Sequence, residues 1–218
     1  MCFFAQLAFS QTTTWDGTTW DTGNPDSLTD AIFTGNYSST SDLTAKSVTV
    51  NSPAIVTFNT SHTLTVQNEI TVVSGSSLIF ENNASLLQIN GSAINTGNIT
   101  YKRDATPMIE NQYTYWGTPV SGQVLNIFSP LTSPSRFHSF NANSGVNNWV
   151  NESGANTMDP GKGYAIQAPN NYTVTPTVYN GEFVGTPNNG IIPVGVEAFN
   201  PVLLNYNFIS NPYPSALD

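Results

Sequence analysis

The sequence predicts an all-β protein in which a short β-solenoid, β-helix-like with turns of about 22 residues, precedes an antiparallel β-sandwich-like domain. Two observations lead to this fold: a repeat of short strands between residues 43 and 89, and a later set of strands without a period. Apolar residues recur within the repeat, as in the pairs Val56 and Leu78, Phe58 and Phe80, and Leu64 and Leu86. A fixed period of strands and Asn/Ser/Gly/Pro turns is typical of stacked solenoids.

The composition argues against several functions. Charged residues make up 9% of the 218 residues, and the net charge is −9. The few basic residues are scattered, whereas nucleic acids and anionic membrane surfaces require clustered Lys and Arg. Cys2 is the single cysteine, so neither a disulfide framework nor a cysteine metal site is predicted, and no cofactor is expected.

Residues 1–10 resemble the end of a secretory signal peptide. Their apolar run closes with Ala8-Phe9-Ser10, small residues suited to cleavage before Gln11. The positively charged start of such a peptide is absent, and the run is too short to span a bilayer. A buried N-terminal strand is the alternative. We favour export to the cell surface or medium, with no membrane insertion of the mature chain.

Residues 11–104 are predicted to form the capped solenoid. Trp15 and Trp20, each followed by Asp, are expected to cover its open end, although they could instead form a platform for sugar stacking. Only about two full turns are recognisable, followed by a partial copy that ends at Asp104. Because a solenoid usually needs at least three repeats, the tryptophan segment and the next domain are expected to seal its ends.

Residues 105–218 lack the period and are predicted to form the β-sandwich-like domain. Short runs rich in aromatic and β-branched residues alternate there with Gly, Pro and Asn turns. The predicted strands are Gln112–Trp116, Arg136–Phe140, Asn148–Val150, Gly163–Gln167, Thr173–Thr175 and Asn205–Ile209.

Several motifs follow in order in this second region. They are Tyr115-Trp116-Gly117-Thr118-Pro119-Val120-Ser121-Gly122, Gly161-Lys162-Gly163-Tyr164 and Asn211-Pro212-Tyr213-Pro214-Ser215-Ala216-Leu217-Asp218. The set resembles secreted and cell-surface proteins of Bacteroidota, of the Flavobacteriia type, that leave the cell by the type IX secretion system. The resemblance implies a C-terminal sorting domain that engages the secretion machinery. Because the sequence ends at Asp218, we expect a fragment that lacks this domain.

Catalysis is not predicted. Lyases and glycosidases on β-solenoids need paired carboxylates, or a base with a neutralising cation. Between residues 43 and 99 the acids are Glu69 and Glu81, which fall in different parts of neighbouring turns. His62 has no Ser, Asp or Glu partner that the spacing indicates.

The remaining interpretation is a non-catalytic, adhesin-like or structural segment of a larger extracellular protein. The alternative is a carbohydrate-binding accessory module of a polysaccharide-degrading system; the partners would be extracellular glycans or other surface proteins. The candidate glycan contacts are Tyr115, Trp116, Trp149 and Tyr164. Large aromatic residues also fill sandwich cores. The Gly161–Tyr164 motif is equally interpreted as a tight turn with Tyr164 packed beneath it.

Overall fold

The computed structural model describes residues 11–143, 148–197 and 206–216. The predicted signal segment, residues 1–10, lies outside the described residues. The predicted all-β class is confirmed, with a β-solenoid followed by an antiparallel sheet. Within the described part of the chain, no helix is long and apolar enough to cross a bilayer.

Eleven strands build the solenoid. They are β1 (Gln11–Trp15), β2 (Thr29–Phe33), β3 (Tyr37–Ser38), β4 (Leu43–Ala45), β5 (Ser47–Val50), β6 (Ile55–Phe58), β7 (Thr63–Val66), β8 (Ile70–Val72), β9 (Ser77–Phe80), β10 (Ser85–Gln88) and β11 (Ile99–Asp104). Parallel pairing stacks them into three faces: β1-β2-β5-β8, β3-β6-β9-β11 and β4-β7-β10.

The 22-residue spacing recognised in the sequence is also the spacing at which strands of neighbouring turns pair. Val56 pairs with Leu78 and Phe58 with Phe80 on one face, and Leu64 pairs with Leu86 on another. All of these side chains are buried, because alternate residues of each strand point inward. The 22-residue spacing therefore places like residues above one another inside the solenoid.

The solenoid extends further than the two turns recognised in the sequence. Three complete turns are present, β2-β3-β4, β5-β6-β7 and β8-β9-β10, with β1 before them and β11 after them. In the first turn the pairs are Asp30 with Ser47, Tyr37 with Val56 and Leu43 with Leu64. These separations are shorter than 22 residues and unequal, because the loops differ in length. A search at one fixed period therefore misses this turn.

Aromatic rings stack through the solenoid interior. Phe58 and Phe80 are fully buried and lie parallel, with ring centroids 5.4 Å apart. The stack continues to Tyr101 at one end and reaches Tyr37 at the other. Trp15 and Trp20 then pack against Tyr37 and Phe33, partly buried on the core. Their position agrees with the predicted cap.

The second region contains β12 (Tyr113–Trp116), β13 (Val120–Ser121), α1 (Leu125–Phe128), β14 (Phe137–Phe140), β15 (Trp149–Asn151), β16 (Tyr164–Gln167) and β17 (Asn180–Pro187). Strand β17 pairs antiparallel with β11, so it continues one face of the solenoid, and β13 pairs with its other edge. The remaining strands form an antiparallel sheet in the order β12-β16-β14-β15. Trp116 of β12 contacts Phe183 of β17, so the two sheets pack face to face as a sandwich. One hydrophobic cluster runs from the solenoid into this sandwich.

In the second region two predicted strands are wrong, and two strands, β13 and β17, were missed. Thr173–Thr175 has no strand, and the described residues 206–209 contribute only an isolated bridge from Ile209 to Lys162. The longer missed strand, β17, carries glycines that resemble turn residues. A Cβ on Gly181 would lie 2.9 Å from the Phe128 ring, so this glycine makes room for a packed aromatic residue within the strand.

Candidate functional site

Strand alternation divides the aromatic residues of the β12-β16-β14-β15 sheet between its two faces. In β12, Tyr113 and Tyr115 are exposed, whereas Trp116 is buried. Tyr115 pairs with Ala165 and Trp116 with Tyr164 on the neighbouring strand. Because residues paired across strands share a face, Trp116 and Tyr164 both face the core.

Trp116 and Tyr164 are therefore core residues, the two of the four predicted glycan contacts that the fold buries. Trp116 is 9% exposed and packs edge-on against Phe128, with ring centroids 4.9 Å apart. Tyr164 is 1% exposed, and its hydroxyl accepts a hydrogen bond from the Asp159 N–H. Burial leaves Tyr164 no face on which a sugar could stack, and Trp116 keeps only the small exposed part that lines a separate cavity. The other interpretation of the Gly161–Tyr164 motif, a turn with Tyr164 beneath it, agrees with this geometry.

Tyr115 and Trp149, the other two predicted contacts, lie on the open face of the sheet. Tyr115 is 66% exposed and Trp149 is 43% exposed. Both border a cavity of about 370 Å³, which they line together with Tyr113, His138 and Ala165. We call these five residues the aromatic groove.

Strand pairing explains the shape of the aromatic groove. Ala165 lies in the middle of one row across the sheet, paired with Tyr115 on one side and with His138 on the other. Its small, buried side chain forms the floor, and the larger rings on the flanking strands form the walls. Because strands hold the walls, the groove is a feature of the scaffold and not of a loop.

Phe208 packs against two walls of the aromatic groove, and the sequence did not predict this role. Its ring centroid lies 5.1 Å from that of Tyr115 and 5.8 Å from that of Trp149. The Phe208 carbonyl accepts the Gly163 N–H at 3.0 Å, and a Cβ on Gly163 would lie 2.7 Å from the Phe208 ring. The absence of a side chain at Gly163 therefore allows Phe208 to lie on the sheet. No sequence pattern links these two distant positions.

His138 contributes an uncharged wall. Its Nε2 lies 3.4 Å from the Tyr113 hydroxyl, and its Nδ1 is buried with no hydrogen-bond partner among the described residues. Burial, and then the charge of Arg136, lowers the pKa of His138 below its usual value. The imidazole is therefore neutral at pH 7, and the groove lining carries no formal charge.

His62 has a partner that its sequence spacing did not indicate. The Ser39 hydroxyl lies 2.7 Å from His62 Nδ1, across neighbouring turns of the solenoid. Ser39 is only 2% exposed, and its hydroxyl oxygen also accepts the Asn59 N–H. A substrate carbonyl cannot reach this oxygen, so the pair fixes a corner of the solenoid.

Of the two acids considered for catalysis, Glu81 has a basic partner and Glu69 is exposed. Glu81 forms an ion pair with Lys102 at 2.9 Å, on the outside of the solenoid. The Glu69 backbone carbonyl accepts the Val48 N–H. Among the residues that the structure describes, no group of three or more His, Cys, Asp or Glu side chains is placed to hold a metal ion.

A second cavity, of about 580 Å³, lies beside the last solenoid turn, with Arg103 and Tyr101 in its wall. The Arg103 guanidinium donates hydrogen bonds to the carbonyls of Lys102 and Ala84 and to the Tyr101 hydroxyl. Burial lowers the pKa of Arg103. Since both terminal nitrogens donate to the protein, this arginine holds the end of the stack together.

Comparison with known proteins gives one match. No curated protein and no solved structure matches the chain. The model of a family described as "Domain of unknown function (DUF8693)" matches residues 10–218. The match takes in both the solenoid and the antiparallel sheet, including every residue of the aromatic groove. The chain therefore belongs to the DUF8693 family.

Proposed function

We propose that this protein is a non-catalytic, adhesin-like segment of an extracellular protein, and that its aromatic groove binds a glycan. The observation that supports the proposal is the convergence of Tyr113, Tyr115 and Trp149 around the Ala165 floor, with Phe208 packed against two of these rings. Exposed aromatic rings in a concave, mostly apolar site are typical of ligand binding. The low charge, the apolar segment at residues 1–10 and the resemblance to exported proteins favour a secreted or cell-surface location.

A neutral sugar fits the chemistry of the groove. The C–H face of a pyranose ring can pack on Tyr115 or Trp149, while the phenol hydroxyls and the indole N–H can bond to sugar hydroxyls. The lining has no cation to pair with an acidic sugar. The net charge of −9 also repels anionic polymers.

A purely structural role is the second candidate. The aromatic stack inside the solenoid and the shared hydrophobic cluster favour a rigid stem or spacer. Such a stem does not need the groove. Ligand binding therefore separates the two candidates.

The test is a glycan array, followed by calorimetry, on residues 11–218. Tyr115→Ala and Trp149→Ala should each weaken binding at least tenfold, or about 1.4 kcal/mol. Leu28→Ala serves as the control, because Leu28 is 73% exposed on the solenoid, away from the groove. We expect this control to bind like the parent protein.

Three outcomes would overturn parts of the proposal. A folded protein that binds no glycan leaves the structural role alone. Binding of choline in place of neutral sugars would change the ligand class, because aromatic rings also attract quaternary ammonium groups. Cleavage of any polysaccharide by the same protein would contradict the non-catalytic assignment.

A further inference from the structure

We infer that the glycan site extends past Phe208 into a neighbouring polar cavity, so that its ligand is a neutral oligosaccharide and not a single sugar. The inference rests on the proposed function of the aromatic groove. We call the second cavity the polar cavity; it measures about 390 Å³ and its lining includes Phe140, Asn141, Glu197, Asn207 and Phe208.

The two cavities are linked by contacts between aromatic rings, which we call the shared wall. Phe208 contacts the rings of Tyr115 and Trp149 in the aromatic groove, and it also lines the polar cavity. Phe140 of β14 also lines the polar cavity, and its ring centroid lies 5.4 Å from that of Trp149. A sugar chain that leaves the groove over the shared wall would extend toward the polar cavity.

The chemistry of the two cavities is complementary. A sugar ring has an apolar face and several hydroxyls, and each buried hydroxyl left without a partner costs about 1–3 kcal/mol. The aromatic groove provides ring faces but few polar atoms. The polar cavity provides the amide groups of Asn141 and Asn207. Asn141 Oδ1 accepts the Asn143 N–H at 2.9 Å, and the Asn207 amide is bonded to the backbone N–H and carbonyl of Glu197 at 2.9 and 3.0 Å. Each amide therefore has a second lone pair on its oxygen, and Asn207 a second N–H, with which to bond a sugar hydroxyl. A ligand that occupies both cavities satisfies both requirements.

The charges around the polar cavity favour a neutral ligand. Lys162 lies at this cavity, but its ammonium group is paired with Glu152 at 2.9 Å and with Asp159 at 3.8 Å. Glu197 adds a carboxylate to the lining. An acidic sugar would therefore meet negative charge without an available cation.

Two sequence motifs hold the shared wall in place. The Gly161 carbonyl accepts the Ser210 N–H at 2.9 Å, and the Ser210 hydroxyl donates to the Lys162 carbonyl at 3.0 Å. With the bond from Gly163 to Phe208, these contacts attach the segment before the Asn-Pro-Tyr-Pro motif to the Gly161–Tyr164 turn. The two motifs thus position Phe208 between the cavities.

The inference is tested with β-1,4-linked oligomers of glucose, xylose, mannose and N-acetylglucosamine, one to six residues long. Calorimetry should show at least a tenfold gain in affinity from the monosaccharide to the trisaccharide of the series that binds. Asn141→Ala should remove most of this gain and leave monosaccharide binding unchanged. Phe208→Ala should weaken both, because the ring lines the polar cavity and supports the Tyr115 and Trp149 rings of the groove.

NMR titration of the parent protein gives a second test, which does not depend on whether the Asn141→Ala variant folds. In NMR titrations of the parent protein, the trisaccharide should shift the side-chain amide signals of Asn141 and Asn207, and the monosaccharide should not. Equal affinities for all chain lengths, with no shift at these amides, would overturn the inference and leave the proposed groove intact. Absence of binding to every oligomer would instead overturn the proposed function itself.

Discussion

The solenoid and the antiparallel sheet use the same aromatic residues in different ways. In the solenoid, Phe58 and Phe80 point into a closed interior, while small polar residues such as Thr49 and Thr71 pair on the outside. In the sheet, only one face is covered by the core, so Trp116 points inward and Tyr115 points outward. Closed stacking turns aromatic residues into stabilising contacts, whereas an open antiparallel face leaves some of them free for recognition.

The largest expected difference comes from removing one ring in each region. Phe80→Ala should reduce the free energy of unfolding by about 3–5 kcal/mol, because it leaves a cavity between Phe58 and Tyr101. Tyr115→Ala, at a residue 66% exposed, should cost about 1 kcal/mol or less. Chemical denaturation of both variants measures the contrast.

The same experiment examines how far the two regions depend on each other. Because one hydrophobic cluster joins them, Phe80→Ala should lower the denaturation midpoint of both regions together, in a single transition. Two separate transitions, with only the first displaced, would contradict this shared core.

An intermediate effect is expected where the two sheets of the sandwich meet. Gly181→Ala would place a methyl group 2.9 Å from Phe128 and 3.1 Å from Trp116. Phe128 stacks on Phe183 with ring centroids 4.5 Å apart, so it has little freedom to move, and the unfolding free energy should fall by about 1–3 kcal/mol.

Gly195→Ala is the matched control for that substitution. A Cβ at Gly195 has no neighbour within 4 Å among the described residues, and its backbone is not in the left-handed region. The free energy of unfolding of the Gly195→Ala variant should therefore be unchanged or slightly raised. Equal losses at the two glycines would indicate that backbone freedom, not ring packing, determines the effect.

The smallest expected effect concerns a polar network in the second region. Burial raises the pKa of Glu152, but hydrogen bonds from Ser139, Lys162 and Asn156 outweigh this effect and hold the pKa below its usual value of 4.5. The ionised carboxylate thus stabilises the fold above about pH 4.5, and this contribution is lost as the pH falls through the folded-state pKa.

Glu152→Gln removes that pH dependence. The free energy of unfolding of the parent protein should exceed that of the variant by about 1 kcal/mol at pH 7, and this difference should shrink progressively below pH 4.5. Urea denaturation at pH 7 and at pH 3 measures the two differences. A difference that is the same at both pH values would show that the charge of Glu152 contributes nothing to stability.

The periodic part of the fold was predictable because its register is written into the sequence. Where loops have equal length, the spacing of like residues is also the pairing of strands, as for Phe58 and Phe80. The first turn was not recognised because its loops are shorter, so Leu43 and Leu64 pair at a different spacing. Unequal loops do not disturb the stack, but they hide it from a search at one period.

The candidate site was only partly predictable. Tyr115 and Trp116 are neighbours in a strand, so alternation alone could have placed them on opposite faces. The approach of Trp149 to Tyr115 depends on the order of four strands, which local sequence does not encode. The contact between Phe208 and Gly163 joins distant segments, and the missing side chain at Gly163 is interpretable only once the fold is known.

The pairing of β17 with β11 has a consequence for how several copies would act together. Six consecutive residue pairs join the last solenoid strand to the sandwich, so a continuous sheet connects the stem to the region that carries the groove. Copies held by the same end would then present their grooves in one direction and at a fixed reach. A repetitive polymer could bridge such copies, and weak individual contacts would add up to high avidity without any change in a single site.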